Sequence, residues 1–463
     1  MGFDHLPPEL LELIMSTVPS LQDLYNIISA SPRCFFIFSS SHTAARILRS
    51  VVNEETLHHM TAVLRAPGIA HPDQSSEDAE ELLSAFLEKS LKTRTLETPS
   101  TVTELATLCL LQQRLTYLMN KYIEGVGYAL SLTFEDNDHS AHLYPGLVST
   151  TCAKINFTAN LSRHETLRLH RGFLRFELFC AVFSLETKKQ RAKAYFGTRK
   201  RFSLFFSRLK NWEIEEMVCI HQYFSTVVGK TIKDIGDQLV RTVRATRGAK
   251  ASTVPLRGMV SLRDLNFTRL SLFSNSWLTH MPLMIEFVAS RGLDFMYHLI
   301  RGDLATRSNM IRSNTPFIRA FLIASLENGP DVRPEPLPTP PDPRDNDPSY
   351  PNFAFRTLAV TRFHYRPQAA VAETHLHSVR ELGYVFWDTE NIEHPLFWEA
   401  LHPRVDTLLS LLLMSTETPR RRTIGDKLAY YWLPKAEMEK IGKEFGQLNT
   451  IPRLSPWRHV IAL

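Results

Sequence analysis

Val228-Gly229-Lys230-Thr231 carries the closing letters of a phosphate-binding loop. Such a loop works because backbone N–H groups between two glycines cradle phosphate oxygens while the lysine reaches the outer phosphates. The opening glycine would have to stand at Phe224, and no strand-like run precedes it, so Gly229 reads as a glycine that ends a helix. Gly125-Val126-Gly127 opens like a dinucleotide fingerprint, but Leu130 holds the place of the third glycine, and the segment reads as a loop. His139-Ser140-Ala141-His142, beside Asp136 and Asp138, offers metal-ligand types without the cysteines or HExxH helix of a zinc site, and reads as solvated loop. Glu213, Glu215 and Glu216 could be paired acids for hydrolysis. At a helix start they read instead as solvated carboxylates that favour the helix dipole. His164-Glu165 lacks a second histidine at metal-binding spacing, and no GxSxG elbow exists. The expectation is a protein that is not an enzyme, with no catalytic residues, no metal and no cofactor.

The five cysteines, Cys34, Cys109, Cys152, Cys180 and Cys219, are odd in number and widely spaced, with no CxxC. They read as buried thiols of a reducing compartment, cytosol or nucleus, rather than as a disulfide scaffold. The formal charge is only +5, yet residues 163–250 hold 19 Lys or Arg against 8 Asp or Glu. The sharpest part runs from Lys188 to Arg201, and Arg420-Arg421-Arg422 is a smaller cluster. Three readings stand for these clusters: a solvated basic face, a nuclear import signal, and a phosphate-contacting surface. The interleaved Tyr195, Phe196, Phe202, Phe205 and Phe206 read as core rather than as stacking platforms, so nucleic acid is not the expected partner.

The elements that must position all this are helical. Segments 104–123, 164–185, 213–228, 283–300, 316–327 and 396–414 place apolar residues at helical spacing. Only 352–366 hints at a strand, through Phe353, Phe355, Leu358, Val360 and Phe363. Composition is that of a folded chain, 44% hydrophobic and 22% charged. No segment approaches the roughly 20 apolar residues a bilayer demands, so no membrane anchorage is expected. No secretory h-region follows the first residues, and Leu6 stands where a myristoylation signal wants Ser or Thr. Pro330 to Pro351 contains nine prolines and reads as a linker or exposed loop. It divides a helical body, 51–329, from an aromatic-rich C-terminal part, 352–463. No internal repeat announces a recognition surface.

The first 50 residues are closely punctuated. Pro7 and Pro8 suit a helix start, followed by the stripe Leu10, Leu13, Ile14 and Val18. Ser20 with Asp23 has capping-box spacing and opens a second helix through Leu21, Leu24, Ile27 and Ile28. Ser31-Pro32 starts a third through Cys34 to Phe38, and a fourth follows Ser40 or Ser41.

The pattern Leu6-Pro7-x-Glu9-Leu10-Leu11-x-x-Ile14, then Leu21-x-Asp23-Leu24-x-x-Ile27 and Ala30-Ser31, resembles an F-box, with Phe35, Phe36 and Phe38 where a tryptophan often closes the motif. Arg171-Gly172-Phe173-x-Arg175-Phe176-Glu177, Trp212-Glu213-Ile214-Glu215-Glu216-Met217 and Gly383-Tyr384-Val385-Phe386-Trp387-Asp388 are similar to stretches of large F-box proteins of filamentous fungi. The resemblance implies a mostly α fold, with an F-box-like three-helix unit over residues 1–50 and a large irregular helical body behind it. It also implies a partner, the linker subunit of an SCF-type cullin–RING ubiquitin ligase, docked through Leu6, Pro7, Leu10, Leu11 and Ile14. The function so implied is a substrate-recognition adaptor for an unknown protein target. The alternative is an interaction protein, nuclear or cytosolic, that keeps the F-box-like fold without engaging the ligase.

Overall fold

The computed structural model describes residues 5–69, 76–92, 99, 101–135, 161–183, 197–248, 281–314, 322–327, 347, 349–352, 354–356, 379–392 and 397. Among these there is no strand. The helices are α1 (Pro8–Thr17), α2 (Leu21–Ala30), α3 (Pro32–Phe38), α4 (Ser41–Val51), α5 (Glu54–Ile69), α6 (Ser76–Lys92), α7 (Val102–Glu135), α8 (Arg163–Phe183), α9 (Thr198–Leu204), α10 (Asn211–Gly248), α11 (Met281–Ala289), α12 (Leu293–Arg301), α13 (Leu304–Asn314), α14 (Leu322–Glu327) and α15 (Thr389–Ile392).

The N-terminal helices start where capping chemistry places them. Pro8 takes the first position of α1. Ser20 accepts the Asp23 N–H at 3.1 Å and Ser31 accepts the Cys34 N–H at 3.2 Å, each satisfying an amide that the new helix cannot. Asn53 does the same for α5, accepting from Glu55 at 3.0 Å. α1 packs on α3 and α4, and α2 lies along α7. There the Cys109 thiol donates to the Leu21 carbonyl, and Gln113 bonds Gln22 at 2.8 Å. One continuous apolar core therefore runs from Leu11 to Phe397.

Helix α8 is the axle. It lies between α5 and α10, and fifteen of its 21 residues are buried. A helix so largely buried is ordinarily apolar over most of its surface. α8 is not, because Glu165, Arg168, Arg171 and Arg175 form one stripe at helical spacing beside Phe173, Phe176, Phe179 and Phe183. Gly172 lets its neighbours approach: a Cβ there would stand 3.1 Å from the Phe386 ring.

Three expectations are corrected. Gly125 to Gly127 lies inside α7 and Gly229 inside α10, in neither case at a break. Gly125 is set against the Tyr223 ring, in ordinary contact range. The 283–300 segment is two helices, because Gly292 adopts φ +89° between them and Glu177 accepts the Leu293 N–H at 2.6 Å. Residues 354–356 of the strand-like stretch make a helical turn, closed by the Arg356 N–H on the Asn352 carbonyl. Residue 353 and the remainder of that stretch, segment 316–321, and segment 396–414 apart from Phe397 lie outside the described residues.

Residues 379–392 fill the centre although they follow the proline-rich stretch. Leu382, Phe386 and Trp387 are fully buried. The chain turns at Gly383, whose φ is +61°, with the Tyr122 hydroxyl against its Cα. Asn352 secures the turn by donating to the carbonyls of Tyr384 and Trp387 at 2.7 and 2.8 Å. A side chain at Gly383 would meet both a left-handed backbone and that hydroxyl. Gly383→Ala is expected to cost about 2–4 kcal/mol in urea unfolding. Adding Tyr122→Phe should recover part of the loss, because the Tyr122 hydroxyl has no hydrogen-bond partner among the described residues.

Candidate functional site

Two features stand out from the body of the fold: an apolar face on the N-terminal unit and an ionic network at its centre. On the first, α1 exposes Leu10 (46%) and Leu13 (58%), and α3 exposes Phe35 (38%) and Phe36 (78%). Of the residues implied for docking, Pro7 and Leu10 are exposed and Leu6 and Ile14 are half-buried. Leu11 is fully buried and serves the core. Leu13 and Phe36, which the resemblance did not assign, are more exposed than any of the four aliphatic side chains it did assign, Leu6, Leu10, Leu11 and Ile14. Helical periodicity put Leu13 on the apolar stripe, but nothing in the string of aromatics told Phe36 from Phe38, which is buried.

The network is built on the α8 stripe. Ser162 and Glu165 form a capping box: Ser162 N–H donates to Glu165 at 2.9 Å and Glu165 N–H to the Ser162 hydroxyl at 3.1 Å. The other Glu165 oxygen accepts the Asp388 N–H at 2.8 Å and the Asn391 amide at 2.6 Å. Arg168 pairs with Asp388 at 2.6 Å, and the Ser162 hydroxyl donates to the same carboxylate. Arg171 forks onto Glu216 at 2.9 and 2.7 Å, reaches Glu55 at 3.3 Å and lies 4.5 Å from the Trp212 ring centroid. Arg175 pairs with Glu213 at 2.9 Å. Across α10, Glu215 takes both arms of Arg380 at 2.6 and 2.9 Å and the Tyr384 hydroxyl at 3.0 Å.

The expectation that Glu213, Glu215 and Glu216 are solvated is therefore overturned. Glu215 and Glu216 are buried and Glu213 is nearly so, each against its own arginine. Burial pushes the Glu216 carboxyl above its ordinary value, against the pull of Arg171. Burial opposes the Glu213 anion too, yet Arg175 and the Lys210 backbone N–H hold that carboxyl below its ordinary value. Each of the three acids is engaged by an arginine.

The remaining candidate chemistry is absorbed by structure. Val228 is buried and Thr231 donates to the Val227 carbonyl inside the unbroken α10, so no loop cradles a phosphate there. Cys34, Cys109, Cys180 and Cys219 are buried free thiols, and burial raises the Cys109 thiol to about 11, far from thiolate. No cluster that could hold a metal ion occurs among the described residues. Phe202, Phe205 and Phe206 are core, as expected, while Arg199 and Lys200 are exposed and Arg201 is buried. The His139–His142 loop, Cys152, residues 188–196, with Tyr195 and Phe196, and the Arg420 cluster lie outside the described residues. No helix of the described residues is long and apolar enough to cross a membrane. Comparison with protein-family models, curated proteins and solved structures finds no match to this chain.

Glu216→Leu would remove the forked partner of Arg171 and leave Glu55 at 3.3 Å, at an expected cost of about 3 kcal/mol, whereas the double change with Arg171→Met should cost much less; chemical denaturation of both variants beside the unmutated chain measures the difference. A separate expectation concerns acid. Burial lowers the His221 pKa to about 3 and that of His170 to about 4, so both stay neutral in the fold. The unfolded chain binds those protons below its ordinary histidine pKa, so stability should fall as pH drops from about 6.5 toward 3, by up to about 1.4 kcal/mol per unit for each histidine. Unfolding midpoints across that range should flatten in His221→Leu.

Proposed function

We propose that this chain is a non-catalytic adaptor, whose N-terminal helices dock on the linker subunit of an SCF-type cullin–RING ubiquitin ligase while its helical body presents a protein target. The observation that carries this reading is the exposure of Leu10, Leu13 and Phe36 on an N-terminal unit whose other apolar residues are largely covered. Exposed apolar side chains set close together on packed helices favour a partner that covers them. Each could contribute about 1.5–3 kcal/mol on full burial. The first three helices begin at Pro8, Leu21 and Pro32, within the stretch that carries the F-box resemblance.

An adaptor acts by holding a target near the ligase, which raises effective concentration without chemistry of its own. The ionic network supports that reading from the other side, since the buried acids of α10 are engaged in structure. Rigid support for the docking face comes from α2 on α7, which ties the unit to the core.

The test is co-purification of the full chain with the linker subunit. Leu10→Asp with Leu13→Asp should weaken retention by roughly a hundredfold or more. Both positions are exposed, so the circular dichroism and unfolding midpoint should hold. Failure of the unmutated chain to retain the linker would end the adaptor reading. Capture of other proteins through the same two leucines would then assign the chain to the ligase-free alternative.

A further inference from the structure

A cavity of about 370 Å³ lies between α5, the end of α6, α8 and the start of α10. It is separate from the docking face. Arg171 and Arg175 of α8, Lys92 of α6 and Lys210 ahead of α10 all line it. Two helices also begin at its wall, α5 behind Asn53 and α10 behind Lys210. Helix starts present N–H groups and partial positive charge, which is why anions settle there.

The carboxylates in the wall are already committed. Glu54 faces Arg49 at 3.1 Å. Glu55 faces Arg171 at 3.3 Å. Glu213 spans Arg175 at 2.9 Å and the Lys210 backbone N–H at 2.8 Å. Glu213 thus behaves as a built-in anion, sitting where a helix start and a guanidinium meet.

Donors remain beyond what these carboxylates use. Arg175 is 5% exposed and lines the cavity, and among the described residues Glu213 is its one ion pair. Lys210 stands exposed, with no carboxylate against its ammonium among the described residues. Lys92 pairs only across the exposed surface with Glu88, at 2.9 Å, a contact of little strength. A tetrahedral oxyanion has acceptors enough to bridge a guanidinium, an ammonium and backbone N–H groups at once.

We propose that this cavity is an oxyanion-binding site that takes a phosphate monoester group. The group could belong to a small metabolite or to a phosphorylated side chain of another protein, and the chemistry of recognition is the same. The proposal stands whether or not the N-terminal unit docks on a ligase.

The experiment is calorimetric titration of the full chain at constant ionic strength, with inorganic phosphate in one arm and a phosphoserine hexapeptide in the other. Saturable binding with a dissociation constant of about 1 mM or tighter is expected for at least one probe. Lys210→Glu, at an exposed position, should weaken it at least about tenfold while leaving the phosphate-free unfolding midpoint unchanged, since reversing one phosphate contact costs of that order. Arg175→Lys should weaken it as well, because an ammonium lacks the fork. Tighter binding of the peptide assigns the source as a phosphorylated protein segment, and equal binding assigns a free small oxyanion. Absence of saturable heat for both probes up to about 20 mM, or unchanged affinity in Lys210→Glu, overturns the proposal.

Discussion

A row of charges on the buried side of a helix is the constraint from which the rest of this architecture follows. Arg168, Arg171 and Arg175 of α8 are at most 5% exposed. Guanidiniums cannot shed their charge, and leaving one unpaired out of water costs several kcal/mol. Each must therefore be met by a carboxylate, and the chain brings those acids from far away. Glu216 comes from α10, Glu55 from α5 and Asp388 from beyond the proline-rich stretch. Buried ion pairs of this kind add little net stability over an apolar core, but each tolerates few alternative partners. We take them as setting register between α5, α8, α10 and the 379–392 segment.

That arrangement explains why the C-terminal segment is part of the core rather than an appendage. Trp387, Phe386 and Tyr384 fill space against Gly172 and Tyr122, while Arg380 and Asp388 pair with charges on α10 and α8. The N-terminal unit is joined to the same body through α2 and α7. Its exposed leucines and phenylalanines consequently ride on a fixed support. On the adaptor reading proposed above, a face so mounted would lose little conformational entropy when a partner covers it.

Local features were legible from the residues alone. The starts of α1, α2 and α3 and the periodicity of α7, α8 and α10 all rest on spacing and contacts within a few positions of each other. Glu215 and Glu216 were misread as solvated because their partners, Arg380 and Arg171, stand 165 and 45 positions away. Gly125 and Gly229 lie inside helices rather than at breaks because a long helix held by packing along its length tolerates an interior glycine. Of the docking residues, alternation along α1 could suggest which leucines share a face. It could not say that Leu11 turns inward while Leu13 stays open.

The amino-acid string by itself determined that the chain is helical, where its first helices begin, and that the N-terminal fifty residues carry more apolar surface than so short a unit can hide. Those properties depend on hydrogen bonds and side-chain spacing within one or two turns. Tertiary structure alone decided which apolar residues remain in water, which acids neutralise the α8 arginines, and that a cavity opens where α5 and α10 both begin. Burial and charge pairing are properties of neighbours in space, and the neighbours that matter here are remote along the chain.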